Sequence, residues 1–398
     1  MNYSKLMKKN NISKPCFLIN EEVITKLSND IINALKKRWK NGIVGYSFKT
    51  NNFPGLISFF KNMGFYAEVV SSDEFELALG MGYSYNEIIF NGPVKDRITF
   101  EKAIENGSIV NIDSKRELLW LKELKSKVKE RAKVGIRVNF CLENYCPGES
   151  QCGNDDGRFG FSYETGELNE ALDFLKENGV KISGLHLHCS SKTRSLNIYN
   201  AISKVASEII DKFKLDLDYV DIGGGFFGGL PEKPSFDEYF AVVYENLKAY
   251  KNLNIIIEPG MSVVGAGVDY LTTVVDVKKT LNNSFAVLDG SRIHIDPIKR
   301  KSAYSYSIIN NNCNEAENGK ITLCGFTCME DDRFFSLTDS QIALGDNVVF
   351  HKVGAYTMGL SPQFIEFYPL VYSVSGDSVK VVRKKVSAED FIMINKGE

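Results

Sequence analysis

The feature that most constrains the fold of this chain is a regular alternation of β-rich and amphipathic runs between residues 42 and 260. Eight short runs rich in β-branched and aromatic residues end at Lys49, Val70, Phe90, Asp113, Asn139, His188, Ile222 and Glu258. The segments between them place apolar residues at helical spacing, and one of them, residues 167–179, ends at a glycine. Eight strand–helix units in about 220 residues predict an α/β fold, a (β/α)8 TIM barrel. A doubly wound open sheet is the structural alternative.

The pattern changes after about Val263, where helical periodicity fades. Short β-branched runs separated by turn residues dominate there, as in an antiparallel β domain. Residues 15–20 form one more strand candidate near the N-terminus, which we expect to join that sheet. A chain of 398 residues favours two domains. We therefore expect residues 1–35 to contribute to the β domain, residues 36–262 to form the barrel and residues 263–398 to form the C-terminal β domain.

Composition argues against several classes of partner. The formal net charge of −2 gives no global reason to expect nucleic acid or a membrane. The N-terminus lacks the apolar run of a secretory signal, so we expect a cytoplasmic protein. The eight cysteines match no zinc spacing, so we expect reduced thiols and no metal site. Pairing or metal binding by Cys146 and Cys152, which flank a Pro-Gly turn, is the less favoured alternative.

The active site of such a barrel lies at the C-terminal ends of its strands. Lys49 ends the first strand inside an apolar run. A lysine that reaches water is the commoner situation, but a Schiff-base lysine must be desolvated to be nucleophilic. Gly223, Gly224 and Gly225 follow the seventh strand, where glycines let backbone N–H groups approach a phosphate, although a flexible turn is the alternative. Further polar residues near strand ends are Glu68, Ser71, Asn91, Asp113 and Arg137.

Two more strand-end residues complete a set that fits one cofactor. His188 ends the sixth strand and Glu258 the eighth, although a core histidine and a surface carboxylate are the commoner interpretations of each alone. Pyridoxal 5′-phosphate (PLP) has an aldehyde for a lysine, a phosphate for a glycine loop and a flat ring for a histidine. A carboxylate beside its ring nitrogen keeps that nitrogen protonated, so that the ring accepts electrons. The four features together predict PLP.

Six segments, in chain order, resemble the fold-type III PLP-dependent decarboxylases, the family of ornithine, arginine and diaminopimelate decarboxylases. They are residues 46–51, 186–191, 221–226, 258–260, 324–332 and 354–357. The first is similar to the family's Tyr-Ala-Val-Lys-Ala-Asn motif, and the third is its glycine loop almost unchanged. The resemblance covers nearly the whole chain and implies an alanine racemase-like barrel with a C-terminal β domain.

The resemblance also implies residue roles. Lys49 would hold the cofactor through its amine, His188 would stack on the ring and Cys328 would return a proton to the substrate carbon after carbon dioxide leaves. The implied cofactor contacts are Lys49, Arg137, His188, Ser191, Gly223, Gly224, Gly225, Glu258 and Tyr356. Cys328 would enter the site of the partner subunit, which implies a homodimer with shared active sites. A buried structural thiol is the alternative for Cys328.

Departures from the family pattern bear on the substrate. Met261 replaces the arginine of Glu-Pro-Gly-Arg, which removes a phosphate charge, and Met329 replaces the acidic residue after the catalytic cysteine. The arginine that diaminopimelate decarboxylases use for the distal carboxylate is not evident near Asp296. We therefore expect an amino-acid substrate other than ornithine or meso-diaminopimelate, as in a secondary-metabolite or siderophore pathway. The residues expected to contact it are Arg292, Asp296, Met329 and Asp332.

The segment from Arg292 to Lys301 is basic. It is interpreted as a solvated charge run, with recognition of an acidic or carrier-protein-bound substrate as the alternative.

Three other functions compete with decarboxylation. An amino-acid racemase on the same barrel would place an arginine at the ring nitrogen, and Glu258 argues against that. An inactive regulatory homologue is opposed by Lys49, the glycine loop and Cys328, although Met261 favours it. A small PLP-carrier protein resembles the barrel alone, so the C-terminal β domain argues against it.

Overall fold

The computed structural model describes residues 1–153, 155, 157–301, 303–311, 319–338 and 341–397. The chain divides into two compact units. One is Leu27–Ser262, and the other combines Met1–Lys26 with Val263–Glu398. The boundary between the N-terminal segment and the barrel unit lies between Lys26 and Leu27, earlier than the expected boundary after residue 35. It falls inside the helix Glu21–Lys36, whose apolar pattern continues from one unit into the other.

Within its described residues, the unit Leu27–Ser262 closes eight parallel strands into a barrel. Numbered in chain order, they are β2 (Ile43–Ser47), β3 (Tyr66–Val69), β4 (Ile88–Phe90), β5 (Ile109–Ile112), β6 (Lys133–Asn139), β8 (Ile182–His186), β9 (Tyr219–Asp221) and β10 (Asn254–Ile257). Pairing of β10 with β2 and of β5 with β6 makes the sheet continuous. The predicted barrel is therefore confirmed, and the open-sheet alternative is wrong. The short strand β7 (Phe161–Ser162), which the sequence did not predict, pairs with β6.

Amphipathic helices alternate with these strands. They are α2 (Glu21–Lys36), α3 (Pro54–Asn62), α4 (Ser72–Gly80), α5 (Arg97–Glu105), α6 (Lys115–Glu123), α7 (Ser126–Lys129), α8 (Glu167–Glu177), α9 (Leu196–Phe213), α10 (Phe236–Leu247) and α11 (Met261–Val264). Side-chain caps define several starts: Ser71 accepts a hydrogen bond from the Glu74 N–H at α4, and Ser195 accepts one from the Ile198 N–H at α9. Short 3-10 helices span Phe48–Thr50, Tyr85–Glu87, Leu142–Asn144 and Gly265–Gly267.

A tyrosine lies in the interior of the barrel, in a buried cluster with Ile89, Ile109 and Ile256. Tyr219 of β9 is buried, and a Cβ atom on Gly135 or Gly184 would lie 2.3 Å from its hydroxyl oxygen or 2.2 Å from its ring. Those two glycines therefore make room for the ring. The Tyr219 hydroxyl donates to Asn111 Oδ1 at 2.8 Å, so the apolar interior leads into a polar layer.

The other unit is a mostly antiparallel sheet. Its strands are β1 (Cys16–Asn20), β11 (Val268–Lys279), β12 (Ser284–Leu288), β13 (Ser305–Ile309), β14 (Ile321–Cys324), β15 (Arg333–Leu337), β16 (Asn347–His351), β17 (Leu370–Ser375) and β18 (Ser378–Arg383). The N-terminal strand β1 lies between β11 and β17, in the sheet that the sequence analysis assigned to it. Two pairs, β1 with β17 and β12 with β14, run parallel, and the other pairs bear out the expected antiparallel β domain.

The helices of this unit are α1 (Tyr3–Lys9), α12 (Arg292–Ile295) and α13 (Ala388–Asn395). In the part of the chain that the structure describes, no helix has both the length and the apolar character to cross a membrane. Cys146 and Cys152 are free thiols, and Cys313 lies outside the described residues.

Candidate active site

Lys49 lies just past the end of β2, in the 3-10 turn Phe48–Thr50. Its amine is 3.1 Å from Glu68 Oε2, and the Ser47 hydroxyl donates to that same oxygen at 2.5 Å. Glu68 is completely buried, whereas the Lys49 side chain is 43% exposed. The carboxylate therefore positions an amine that a small molecule can still reach.

A second lysine near the strand ends is a poor candidate for cofactor attachment. Lys95 is buried, and its amine donates to the Gly92 carbonyl at 2.8 Å, the Asn111 carbonyl at 3.0 Å and the Glu117 carboxylate at 3.0 Å. Burial lowers the pKa of Lys95, while Glu117 opposes that change. Three acceptors use all three of its protons, so Lys95 is suited to holding the β4 and β5 loops together.

The amide side chain of Asn91 links Glu68 to Glu258, which follows β10. Asn91 donates to Glu68 Oε1 at 3.0 Å and to Glu258 Oε1. Asn111 in turn donates to Asn91 Oδ1 at 2.8 Å, and its own Oδ1 accepts the Tyr219 hydroxyl. A continuous hydrogen-bonded path thus joins the barrel interior to the carboxyl groups at its C-terminal end.

Three buried acids, Glu68, Asp221 and Glu258, and the buried histidine His186 meet at this end of the barrel. His186 Nε2 is 3.7 Å from Glu258 Oε2, and both nitrogens of that buried ring have no hydrogen-bond partner among the described residues. Burial, followed by the charges of Asp221 and Glu68, raises the pKa of Glu258 well above its ordinary value. Burial raises the pKa of Asp221 to about 7. Burial and nearby cations lower the pKa of His186, so its ring is neutral.

The donor atoms of His186, Asp221 and Glu258 lie within 4.8 Å of one another, a spacing that a metal ion can also use. A carboxyl group that burial has made basic equally suits the protonated nitrogen of a pyridine ring. The second possibility accounts in addition for the nearby lysine and glycines.

His188 follows β8 and is held by Arg137 of β6. The Arg137 guanidinium donates to the His188 carbonyl at 3.2 Å and to Asp113 Oδ2 at 3.1 Å. Burial, with the positive charges of Lys49 and Arg137, lowers the pKa of His188 to about 3. A neutral, flat imidazole therefore lies at the strand ends. The contacts of Arg137 favour a positioning role, one step away from the cofactor contact that the family resemblance implied.

The glycine loop forms a cradle in which side chains do not fit. A Cβ atom on Gly223 would lie 2.5 Å from His188, and one on Gly224 would lie 2.2 Å from the Glu258 carbonyl oxygen. One on Gly225 would lie 2.8 Å from the Ser191 hydroxyl. Gly223 and Gly225 also have φ of +69° and +91°, which glycine adopts freely. The loop thus brings backbone N–H groups, His188, Ser191 and Glu258 into one place.

These observations fit PLP. The flat neutral His188 ring, the basic Glu258 carboxyl group, the glycine cradle and the accessible Lys49 amine match its ring face, ring nitrogen, phosphate and aldehyde. Lys49, Arg137, His188, Ser191, Gly223, Gly224, Gly225 and Glu258 all belong to the barrel unit. Sequence reasoning placed Glu68 and Asn91 among the polar residues near strand ends without giving them a role, and it named Asp221 only as the first residue of the glycine-loop segment.

The remaining expected site residues belong to the β unit. Cys328 is exposed and Met329 is half-buried, in the turn that follows β14. Tyr356 has φ of +56° and is 39% exposed. A left-handed backbone at a non-glycine residue is unfavourable and tends to persist at functional positions. The roles of Cys328, Met329 and Tyr356 stay predictions.

The Asp332 carboxylate is engaged in hydrogen bonds within its own unit. Its two oxygens accept hydrogen bonds from the Ser291 hydroxyl at 2.9 and 3.0 Å, the Thr327 hydroxyl at 2.7 Å, and the backbone N–H groups of Arg292 and Thr327. It is buried. Through these contacts Asp332 joins two turns, and its role in substrate binding stays a prediction.

Asp296 is likewise engaged within its own segment. It pairs with the Arg292 guanidinium at 2.8 Å and accepts from the Tyr304 hydroxyl and the backbone of Arg300 and Lys301. Lys299 pairs with Asp331. The basic segment is therefore partly neutralised internally, and Arg292 already has a counter-ion.

Comparison with known proteins decides the family. The family model described as "Pyridoxal-dependent decarboxylase, pyridoxal binding domain" matches residues 26–265. The chain belongs to this family of PLP-dependent decarboxylases. The expected cofactor and the expected enzyme class are thereby confirmed.

Individual relatives are similar in sequence to this PLP-dependent decarboxylase along most of its length. Diaminopimelate decarboxylase from Archaeoglobus fulgidus is 29% identical over 377 residues, covering 91% of this chain and 88% of the relative. A probable chloroplastic diaminopimelate decarboxylase from Oryza sativa is 27% identical over 88% of this chain and 73% of its own.

Solved structures share the fold. Diaminopimelate decarboxylase from M. jannaschii has a TM-score of 0.84 at 22% identity, covering 99% of this chain and 94% of its own. The Helicobacter pylori enzyme complexed with L-lysine has a TM-score of 0.82 at 24% identity, covering 99% of both chains. The Paramecium bursaria Chlorella virus arginine decarboxylase bound to agmatine has a TM-score of 0.77 at 20% identity, covering 94% of this chain and 100% of its own. The combination of barrel and β domain is therefore common to decarboxylases of different named substrates.

Proposed function

We propose that this enzyme removes the α-carboxylate of an amino acid that is neither ornithine nor meso-diaminopimelate. The observation that carries decarboxylation is the placement of the Lys49 amine against buried Glu68, in one hydrogen-bonded network with Glu258. Bound PLP supplies a carbonyl that condenses with amines and a protonated ring that accepts the electron pair of the breaking carbon–carbon bond.

The residues of the chain divide the work around that chemistry. Glu68 would hold the Lys49 amine at the strand tip, where its buried carboxylate favours the cationic form of that amine. Glu258 keeps a proton at the ring nitrogen, because its buried carboxylate is stabilised by a positive neighbour. His188, uncharged and fixed by Arg137, offers a flat face to the ring. In this proposal, Cys328 donates the proton that replaces carbon dioxide on the substrate carbon.

The residues expected to contact the substrate favour a distal group unlike that of diaminopimelate. Met329 stands where relatives have an acidic residue, so it offers an apolar surface. Arg292 is paired with Asp296 at 2.8 Å, and Asp332 is saturated by its own chain, so neither is free to bind a distal carboxylate or ammonium group. We therefore propose a substrate with an uncharged or modified distal end. A secondary-metabolite or siderophore pathway, or a carrier-bound substrate, is compatible with this proposal.

The test is carbon dioxide release from a panel that contains meso-diaminopimelate, L-ornithine, L-arginine, L-lysine and amino acids with uncharged or acylated distal groups. We expect the highest kcat/KM with the last class. Efficient turnover of meso-diaminopimelate would contradict the substrate proposal, while racemised substrate without carbon dioxide would contradict decarboxylation.

Lys49→Ala and Lys49→Arg isolate the reactive amine. Both should lower carbon dioxide release by about 1,000-fold or more, because covalent attachment of the cofactor is lost. Lys49→Arg keeps the positive charge beside Glu68, so it separates covalent chemistry from charge balance. Full activity in either variant would contradict the mechanism.

A further inference from the structure

Met261 leaves the phosphate end of the site short of one positive charge. It follows Glu258-Pro-Gly at the position where the family pattern has arginine, and methionine carries no charge. A phosphate monoester carries about 1.5 to 2 negative charges near neutral pH. Tight binding of that group therefore calls for a cation from elsewhere in the barrel.

Two cations lie against the ring of Phe227, the second residue after the glycine loop. The Arg194 guanidinium is 5.2 Å from the centroid of the Phe227 ring, and the Lys233 amine is 5.1 Å from it. In the described residues, neither cation forms a salt bridge with an acidic side chain. A cation without an acidic partner in its own chain is available to pair with an anionic ligand.

Arg194 is fixed to the loop, whereas Lys233 is exposed. The Arg194 carbonyl accepts a hydrogen bond from the Tyr239 hydroxyl at 2.5 Å, and that hydroxyl oxygen accepts the Phe227 N–H at 3.4 Å. The Arg194 backbone has φ of +55°, an unfavourable conformation that this tether helps to hold. Arg194 also follows Ser191 by three residues, and Ser191 borders Gly225. The Arg194 backbone is therefore linked through Tyr239 to Phe227, two residues after the cradle residue Gly225.

A buried hydroxyl at the same loop has no partner. Ser262, the residue after Met261, is 5% exposed, and its hydroxyl makes no hydrogen bond among the described residues. A Cβ atom on Gly228 would lie 1.9 Å from the Ser262 carbonyl oxygen, so the Ser262 backbone packs against the chain three residues after Gly225. A buried donor without an acceptor is unfavourable, and a phosphate oxygen would satisfy it.

We propose that Arg194 supplies the positive charge for the cofactor phosphate that Met261 cannot supply, with the Ser262 hydroxyl as an added donor. This inference rests on PLP being the cofactor. Guanidinium suits the task because it stays charged and presents two parallel N–H donors to phosphate oxygens.

Binding of PLP and of pyridoxal, which lacks the phosphate, tests the proposal by absorbance or fluorescence titration of cofactor-free protein. Arg194→Gln should raise the Kd for PLP by about 10- to 100-fold, the range for loss of a charged hydrogen-bonding partner. It should leave the Kd for pyridoxal unchanged. Arg194→Lys, which keeps the charge, should lose less affinity, and Lys233→Gln should change the PLP Kd by less than about 3-fold.

Restoring the missing arginine provides the decisive control. In the double variant Arg194→Gln/Met261→Arg, the PLP Kd should return to within about 3-fold of wild type. Unchanged PLP binding in Arg194→Gln, an equal loss for PLP and pyridoxal, or a larger loss in Lys233→Gln would overturn the proposal. Because the readout is binding, an enzyme that binds PLP but releases no carbon dioxide would refute the proposed function while leaving this test intact.

Discussion

At the scale of single residues, the active site is a problem of charge balance. Glu68, Asp221 and Glu258 are all buried, and the Lys49 amine pairs with Glu68 at 3.1 Å. His186 is neutral because burial lowers its pKa. Burial of several like charges is unfavourable unless some become protonated or a cation arrives. A protonated ring nitrogen would supply that cation, so the barrel is set up to bind a positively charged aromatic ring.

This balance predicts a pH dependence for the cofactor-free protein. The folded pKa of Glu258 is raised above the unfolded value of about 4.3. Its contribution to stability is therefore fully present below about pH 4.3 and is lost as the pH rises through the folded pKa. Glutamine does not titrate, so Glu258→Gln does not lose stability in this way. The free energy of unfolding of the variant, minus that of wild type, should therefore increase from pH 5 to pH 8. The slope should not exceed about 1.4 kcal/mol per pH unit.

Chemical denaturation of cofactor-free protein at several pH values measures the difference. Glu245→Gln is the matched control, since Glu245 is exposed and pairs with Lys248 on the surface. Its difference from wild type should stay flat across the range. A flat difference for Glu258→Gln as well would show that this carboxyl group is not held protonated.

The sequence predicted which residues lie at strand ends better than it predicted what they contact. Lys49, His188 and Glu258 were identified because a strand end in a barrel has a fixed meaning. The hydrogen bonds that Asp332 and Asp296 accept from their own unit could not be predicted from the sequence, and their expected substrate contacts stay predictions. Ser291 and Asp332 are 41 residues apart, and sequence patterns carry little information about such distant pairs.

At the scale of elements, one carboxylate joins two loops around the site. Glu149 lies between β6 and β7, and its side chain accepts hydrogen bonds from Thr193 at 2.8 Å, Asn197 at 3.3 Å and Ser195. Its backbone carbonyl accepts the Ser190 hydroxyl at 2.8 Å. The loop after β6 thus holds the segment that carries Ser191 and begins α9.

Glu149→Ala should loosen that segment specifically. Hydrogen exchange of backbone amides in residues 190–198 should accelerate by about 10-fold, because hydrogen bonds to a charged acceptor contribute about 1.5–3 kcal/mol before solvent screening. Glu143→Ala is the control: Glu143 binds the N–H groups of Gly148 and Ser150 within its own loop. That variant should affect residues 146–150 and spare residues 190–198. Equal effects of both variants would contradict a link through Glu149.

Element identity was more predictable than element pairing. Each of the eight barrel strands lies within a run rich in β-branched and aromatic residues. Once the barrel is recognised, its topology determines which strands are neighbours. The β unit has no such rule. The parallel pair β1 and β17 joins Cys16 to Leu370, and short alternating runs do not specify partners at that separation. The helix α13 has no buried residue, so its periodicity gave little signal.

At the scale of the whole molecule, one unit is built from both ends of the chain. Met1–Lys26 and Val263–Glu398 form the β unit, while Leu27–Ser262 forms the barrel between them. Lys49 belongs to the barrel unit, and Cys328 belongs to the β unit. The proposed chemistry needs both groups at one substrate, which a homodimer with shared sites achieves when each subunit lends its Cys328 to the other.

A heterodimer of Lys49→Ala and Cys328→Ala chains, purified through two different tags, tests that arrangement. Shared sites place both mutations in one active site and leave the other intact, so the heterodimer should have about half of wild-type activity. Each homodimer should be nearly inactive. The reciprocal heterodimer pairs a wild-type chain with a chain that carries both substitutions, and sharing then damages both sites. It should be nearly inactive as well. The opposite pattern, with activity only in the reciprocal heterodimer, would mean that each subunit completes its own site, because a site formed within one chain is spared only when both substitutions lie in the other.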